Sequence, residues 1–137
     1  MNRPSPAQIE RARQLLAHES AGGNDCAAAA GHVFDKLHAH LDPLVGSAGV
    51  QALLVRSAQL TRSEFAFLEV TVVDSSASLR ECLLKQEPTV AAATAAALLG
   101  AFFTLITGYI GERLTTQALR AAWPTIEEIA PMESTHE

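Results

Sequence analysis

Histidine is the residue type here most able to do chemistry. Five are present: His18, His32, His38, His40 and His136. Two histidines on one helix share a metal only when three or four residues separate them. His32 and His40 stand eight apart, roughly 12 Å along a helix. His38 and His40 point to nearly opposite sides. A metal centre would need ligands from elsewhere, such as Asp35 or Glu19, and none is expected. His18 falls on the polar face of an early helix and His136 in the C-terminal stretch; all five read as solvated surface groups.

The other chemistries are weaker still. Cys26 and Cys82 are far apart and lack CxxC spacing, so they read as two idle thiols in a reducing compartment. Ser57, Ser63 and the Ser75–Ser78 cluster lack the G-x-S-x-G elbow of a nucleophilic serine and read as caps and turns. Gly22-Gly23 and Gly46-Ser47-Ala48-Gly49 follow helices rather than strands and carry no Lys-Ser/Thr sequel, which excludes a phosphate-cradling loop. Glu127 and Glu128 lie near the C-terminus, a poor place for general acid–base work. No catalytic residue, metal site or cofactor is expected.

These residues ride on helices. Ser5-Pro6-Ala7-Gln8 reads as a helix start, with Ile9, Ala12, Leu15 and Leu16 on the apolar face and Glu10, Arg11, Arg13 and His18 mostly on the polar one. Asn24 or Asp25 caps a second helix carrying Ala30, Val33, Phe34, Leu37 and Leu41 inward, and Asp42-Pro43 is expected to stop it. A third helix turns Val50, Leu53, Leu54, Ala58 and Thr61 inward. Leu68 to Val73 is β-branched and partly alternating; it reads as an extended connection, or an edge able to pair with another copy. Ser78 and Glu81 form a capping box for a short fourth helix. Pro88 opens the longest element, expected to run unbroken to about Ala122 before Trp123-Pro124 ends it, with Trp123 plugging the end of the bundle. The expected fold is therefore one all-α domain, a bundle of four to five helices with the long apolar helix at its centre.

From Val90 to Gly111 no residue is charged. About 20 apolar residues span a bilayer. Alanine dominates the first half, however, Thr94, Thr104 and Thr107 add polarity, and no basic cluster flanks either end, so the run reads as a buried core helix rather than a membrane span. Within it Ala92, Ala96, Gly100, Thr104 and Gly108 recur every fourth residue as a ridge of small residues that lets another backbone approach closely. Leu98, Phe102, Leu105 and Tyr109 form one bulky flank, and Leu99, Phe103, Ile106, Ile110 and Leu114 the other. Three contact faces, with short first and fourth helices to cover them, point to homodimerisation through this helix. Phe102, Phe103 and Tyr109 could instead wall an apolar ligand pocket. Glu112 extends the ridge by one step and is expected to pair with Arg56 or Arg62.

A net charge of −5 with scattered basic residues excludes nucleic acid as a general partner. The N-terminal stretch has no apolar run and is no secretory signal, so a cytoplasmic setting is expected. His40 to Ala48 is similar to the H-x-L-K-G-S-A pattern of histidine phosphotransfer domains, themselves helical bundles of about this size. It departs from it at Pro43, where that pattern has lysine, and in the displaced glycine at Gly46. The chain as a whole resembles small helical bacterial proteins of unknown function, through Ala12-Arg13-Gln14-Leu15-Leu16, Gly49 to Leu54, Ile110 to Thr115 and Leu119 to Pro124. That resemblance implies a bacterial intracellular setting and no activity. The functional expectation is a non-enzymatic interaction or regulatory protein that binds itself or another protein; a ligand-binding bundle and a phosphorelay protein are the alternatives.

Overall fold

The computed structural model describes residues 6–21, 25–70 and 73–124. The expected cap at Ser5, the helix end at Gly22-Gly23, and the stretch with Glu127, Glu128 and His136 lie outside them. The fold is an all-α bundle: α1 (Pro6–Ser20), α2 (Cys26–Val45), α3 (Ser47–Thr61), α4 (Ser76–Leu84), α5 (Pro88–Ile110) and α6 (Glu112–Ala122). Six α-helices among the described residues replace the expected four to five.

The extra helix arises at Gly111. The run from Pro88 is not continuous to Ala122: Gly111 adopts φ 95, a region open essentially to glycine, and the chain reverses there. Gly111 N–H closes α5 on the Thr107 carbonyl, and its own carbonyl receives the first α6 bond, from Thr115. Helical periodicity gives no warning of this break, because every flanking residue suits a helix.

Pro43 does not stop α2. The helix carries it inside the last turn and ends at Gly46, whose φ is 83 and whose N–H bonds the Asp42 carbonyl at 2.8 Å. Proline sacrifices one hydrogen bond there; burial of Phe34, Leu37 and Leu41, with Val45 packed on the same core, holds the final turn in place. At the other end Asp25 caps through its side chain, accepting from Ala28 N–H at 2.7 Å. The α4 capping box sits one turn earlier than expected: Ser75 is the cap and Ser78 its reciprocal partner.

The described part of the β-branched segment, residues 68–70, is not a strand. Ala66–Val70 forms a 3-10 turn, with Leu68 N–H on the Phe65 carbonyl at 2.9 Å and the Leu68 side chain in the core. Without a partner strand, local i→i+3 bonds are the available way to satisfy the backbone.

Helix α5 packs against all five other α-helices. It is long and apolar enough to cross a membrane by length and composition, and most of its apolar stretch is buried inside the bundle. Phe34, Phe102 and Phe103 stack edge to face at the centre, with ring centroids 5.9 and 6.4 Å apart. Among the described residues no buried side-chain nitrogen or oxygen lacks a partner. Buried Ser57 and Thr61 bond back to the Leu53 and Ser57 carbonyls of their own helix.

Candidate interaction surface

Three of the histidines lie on α2. His32 and His40 are exposed, and His40 Nδ1 contacts the Lys36 carbonyl at 3.0 Å. His38 packs on the edge of Phe34 and meets Ser47 Oγ at 3.1 Å through Nε2, while Ser47 Oγ donates to Asp42 Oδ1 at 3.2 Å. This brings together serine, histidine and aspartate in an order that does not activate a nucleophile. In a hydrolytic triad the carboxylate orients the imidazole, which takes the serine proton. Here the Ser47 hydroxyl donates its hydrogen bond to the carboxylate instead, so the tautomer satisfying both contacts has His38 donating. The cluster ties the end of α2 to the start of α3 beside a shallow groove of about 250 Å³. No group of three or more His, Cys, Asp or Glu among the described residues could hold a metal ion.

A larger groove of about 430 Å³ opens between α1, α2 and α5, lined by Leu16, Ala17, Ser20, Cys26, Ala92 and Arg13. Burial pushes the half-buried Cys26 thiol above its ordinary 9.0, and the neighbouring Asp25 charge pushes the same way. Thiolate is the reacting form. Alkylation of Cys26 by iodoacetamide near neutral pH is therefore expected to run several-fold slower than for free cysteine. Asp25→Asn, which keeps a capping oxygen, should speed it. Equal rates by mass-spectrometric time course would refute the shift.

The structure divides the small-residue ridge of α5. Gly100 is used inside the chain: a Cβ there would lie 3.0 Å from Ile9 Cγ1 and 3.2 Å from Ile9 Cα, so α1 crosses on bare backbone. Ala96 is buried alongside it. Ala92 is exposed in the wall of the Cys26 groove, Thr104 is half-buried with its hydroxyl on the Gly100 carbonyl, and Gly108 is exposed with nothing within 4 Å of a Cβ placed on it. The three aromatic residues expected to share a pocket are separated. Phe102 and Phe103 are fully buried packing residues, whereas Tyr109 is 70% exposed. One turn earlier on α5, Leu105 is half-buried, and Leu114, in the first turn of α6, is exposed. The shoulder where α5 turns into α6 thus carries an open glycine flanked by apolar side chains.

Comparison with protein-family models, with characterised proteins and with solved structures gave no match. The functional reading rests on the geometry.

That geometry includes two polar clasps that sequence reasoning missed. Glu112 pairs with Arg11, not with Arg56 or Arg62: Arg11 Nη2 donates to Glu112 Oε2 at 2.9 Å, Arg11 Nη1 reaches Gln8 at 3.2 Å, and Thr116 adds a bond to Glu112 at 3.0 Å. Arg11 is only 4% exposed, although its helix-wheel position reads as polar. Helix α1 is covered on a second side, so the polar face became an interface. At the far end of α6, Trp123 is buried and donates from Nε1 to Glu19 Oε2 at 2.8 Å; Lys36 bonds the same oxygen at 2.6 Å and sits 5.4 Å from the indole centroid. Trp123 is buried as expected, and a half-buried carboxylate anchors it.

Burial alone would raise the Glu19 carboxyl. Hydrogen bonds from Lys36 and Trp123, with the Lys36 and His18 charges, outweigh it and hold Glu19 below its ordinary 4.5. A carboxyl that ionises more readily when folded contributes stability that is complete above 4.5 and lost as pH falls through the lower, folded value. The melting temperature of the wild type should thus fall more steeply below that pH than that of Glu19→Gln. Parallel pH profiles would show that the clasp carries no linkage.

Proposed function

We propose that this is a non-enzymatic interaction protein that works as a homodimer, and that its contact surface is the α5–α6 shoulder around Gly108 and Tyr109. The observation that carries the reading is the open Gly108 beside a 70% exposed Tyr109. Exposed single apolar residues are ordinary, but a glycine notch beside a projecting ring suits itself about a two-fold axis, each ring filling the other notch. The same helix already receives α1 on bare backbone at Gly100, so close helix approach is a habit of this ridge. Against an enzyme reading stands the order of the His38, Ser47 and Asp42 contacts, which leaves no activated nucleophile in that cluster.

Gly108→Glu tests this. Position 108 is open, so the variant is expected to keep the wild-type fold by circular dichroism. Two like charges brought together at the axis should weaken self-association at least ~10-fold in sedimentation equilibrium. A wild type that stays monomeric at high micromolar concentration, or a variant that associates as well as the wild type, would remove this surface.

A further inference from the structure

We infer that the homodimer forms by exchange of α6: the two copies open at Gly111, and each seats its α6 in the place that α6 occupies in the single chain. This rests on the self-association reading and names the segment that passes between the copies.

Three features of the fold converge on it. The first is the hinge. One residue, Gly111, ends α5 and starts α6, at φ 95 and ψ 157, and nothing lies within 4 Å of a Cβ built there. The turn lacks a side-chain cap for α6. The last α5 bond is Gly111 N–H to Thr107 and the first of α6 is Thr115 N–H to Gly111, so the N–H groups of residues 112, 113 and 114 have no helical partner across the turn. If Gly111 turns helical, those three donors meet the carbonyls of residues 108, 109 and 110, and the left-handed conformation is relieved. The sequence suits that straight form, since no proline interrupts the stretch from Thr89 to Trp123.

The second feature is the seat. Helix α6 buries little bulk: Thr115, Thr116, Ala118 and Leu119 face inward, and Trp123 follows. It lies along α2 and α5, and two clasps, Arg11 with Glu112 and Glu19 with Trp123, fix its two ends. Both receptors lie on α1, and both ligands travel with α6. A second copy therefore offers a seat that already fits the exchanged helix contact for contact. Exchange keeps every closed-form contact and adds only what forms between the copies, which is why short hinges favour it. An unrelated helix would have to match an arginine at one end and a half-buried carboxylate at the other.

The third feature is the new contact. Straightened helices pass each other next to their hinges, where Gly108 and Tyr109 are open and Leu105 is half-buried. Gly108 lets the two backbones cross closely there.

A charge-exchange pair tests the idea. Arg11→Glu places two acidic groups in one chain's clasp, and Glu112→Arg places two basic groups in the other's. Neither chain can satisfy its own seat or that of an identical partner. Mixed and exchanged, both seats regain an opposite-charge pair. The two variants are unfolded together, refolded, and read by native mass spectrometry and thermal melting. The expected result is a 1:1 heterodimer that melts well above either variant alone, even if neither folds by itself. A mixture that behaves as the sum of its parts, or that stays unfolded, overturns the exchange. Gly111→Ala is the second measurement. An L-residue is strained at φ 95 and relaxed in a straight helix, so the dimer association constant should rise ~10-fold; an unchanged or lower constant counts against the hinge. A wild type that dimerises while the charge variants fail to complement retains the self-association reading and discards the exchange. A monomeric wild type with no heterodimer on mixing discards both.

Discussion

Trp123→Ala is expected to cost about 3–5 kcal/mol of α6 docking and to release the helix from α1 and α2. The indole is among the largest fully buried side chains, at 1% exposure. Its removal opens a cavity at the bundle end, deprives Glu19 Oε2 of a 2.8 Å hydrogen bond, and takes away the ring beside Lys36. The burial and the hydrogen bond can be separated. Trp123→Phe keeps most of the apolar volume and loses only the Nε1 donor, so its cost should be nearer about 1.5–3 kcal/mol, the usual range for a hydrogen bond to a charged group. Because α6 closes the described chain, the loss has a ceiling: once α6 is free, further weakening of its seat no longer matters. Hydrogen exchange should therefore show accelerated amides in α6 while α2, α3 and α5 stay protected. Uniform acceleration across the bundle would mean that α6 unfolds only with the rest. A Trp123→Ala variant with wild-type protection in α6 would show that the plug does not hold it.

The contrast between the two glycines of α5 and the break after it shows what the sequence could and could not reveal. The central place of α5 was legible, because a helix apolar on every side must be surrounded. Its register was not. When every face is apolar, the pattern cannot say that Phe102 and Phe103 point to the core while Tyr109 faces solvent, and so it grouped three residues that the fold separates. Gly111 was illegible for the opposite reason. Glycine is tolerated in a helix at about 1 kcal/mol, so one glycine within a helical pattern reads as continuation, and only the tertiary gain of folding α6 back onto α2 and α5 decides otherwise. Arg11 was placed on the polar face, and Glu19 was given no packing role, because α1 has one strong apolar stripe; its clasps to α6 are built from charge and hydrogen bonds that leave no hydrophobic signature. Pro43 misled through a rule about local propensity that the burial of Leu41 and the packing of Val45 outweigh. The N-cap at Asp25 and the inward face of α3, Val50, Leu54 and Ala58, were read correctly because there local pattern and packing agree.

Gly100 and Gly108 differ by two helical turns and should respond oppositely to the same change. At both sites alanine gains helix propensity, up to about 1 kcal/mol, because glycine loses more backbone freedom on folding. At Gly108 nothing within the chain opposes that gain, so Gly108→Ala is expected to stabilise the single chain by about 0.5–1 kcal/mol, read at a concentration too low for self-association. At Gly100 the added methyl would sit 3.0 Å from Ile9 Cγ1, 3.2 Å from Ile9 Cα and 3.3 Å from Ile9 N. The side-chain carbon can rotate away; the two backbone atoms move only if α1 moves. Such overpacking costs about 1–3 kcal/mol, which cancels or exceeds the propensity gain, so Gly100→Ala should be neutral to destabilising. Gly100→Leu should be the most damaging single change on the ridge. It needs α1 lifted from α5 by more than a methyl's width, and because α1 carries Arg11 and Glu19, lifting it also loosens both clasps on α6. Urea denaturation of the three variants decides the matter. The expected order of midpoints is Gly108→Ala above the wild type, Gly100→Ala at or below it, and Gly100→Leu lowest or already unfolded without denaturant. A Gly100→Leu midpoint equal to the wild type would mean that α1 does not cross α5 at this glycine, and the seat that α1 builds for α6 would have to be redrawn with it.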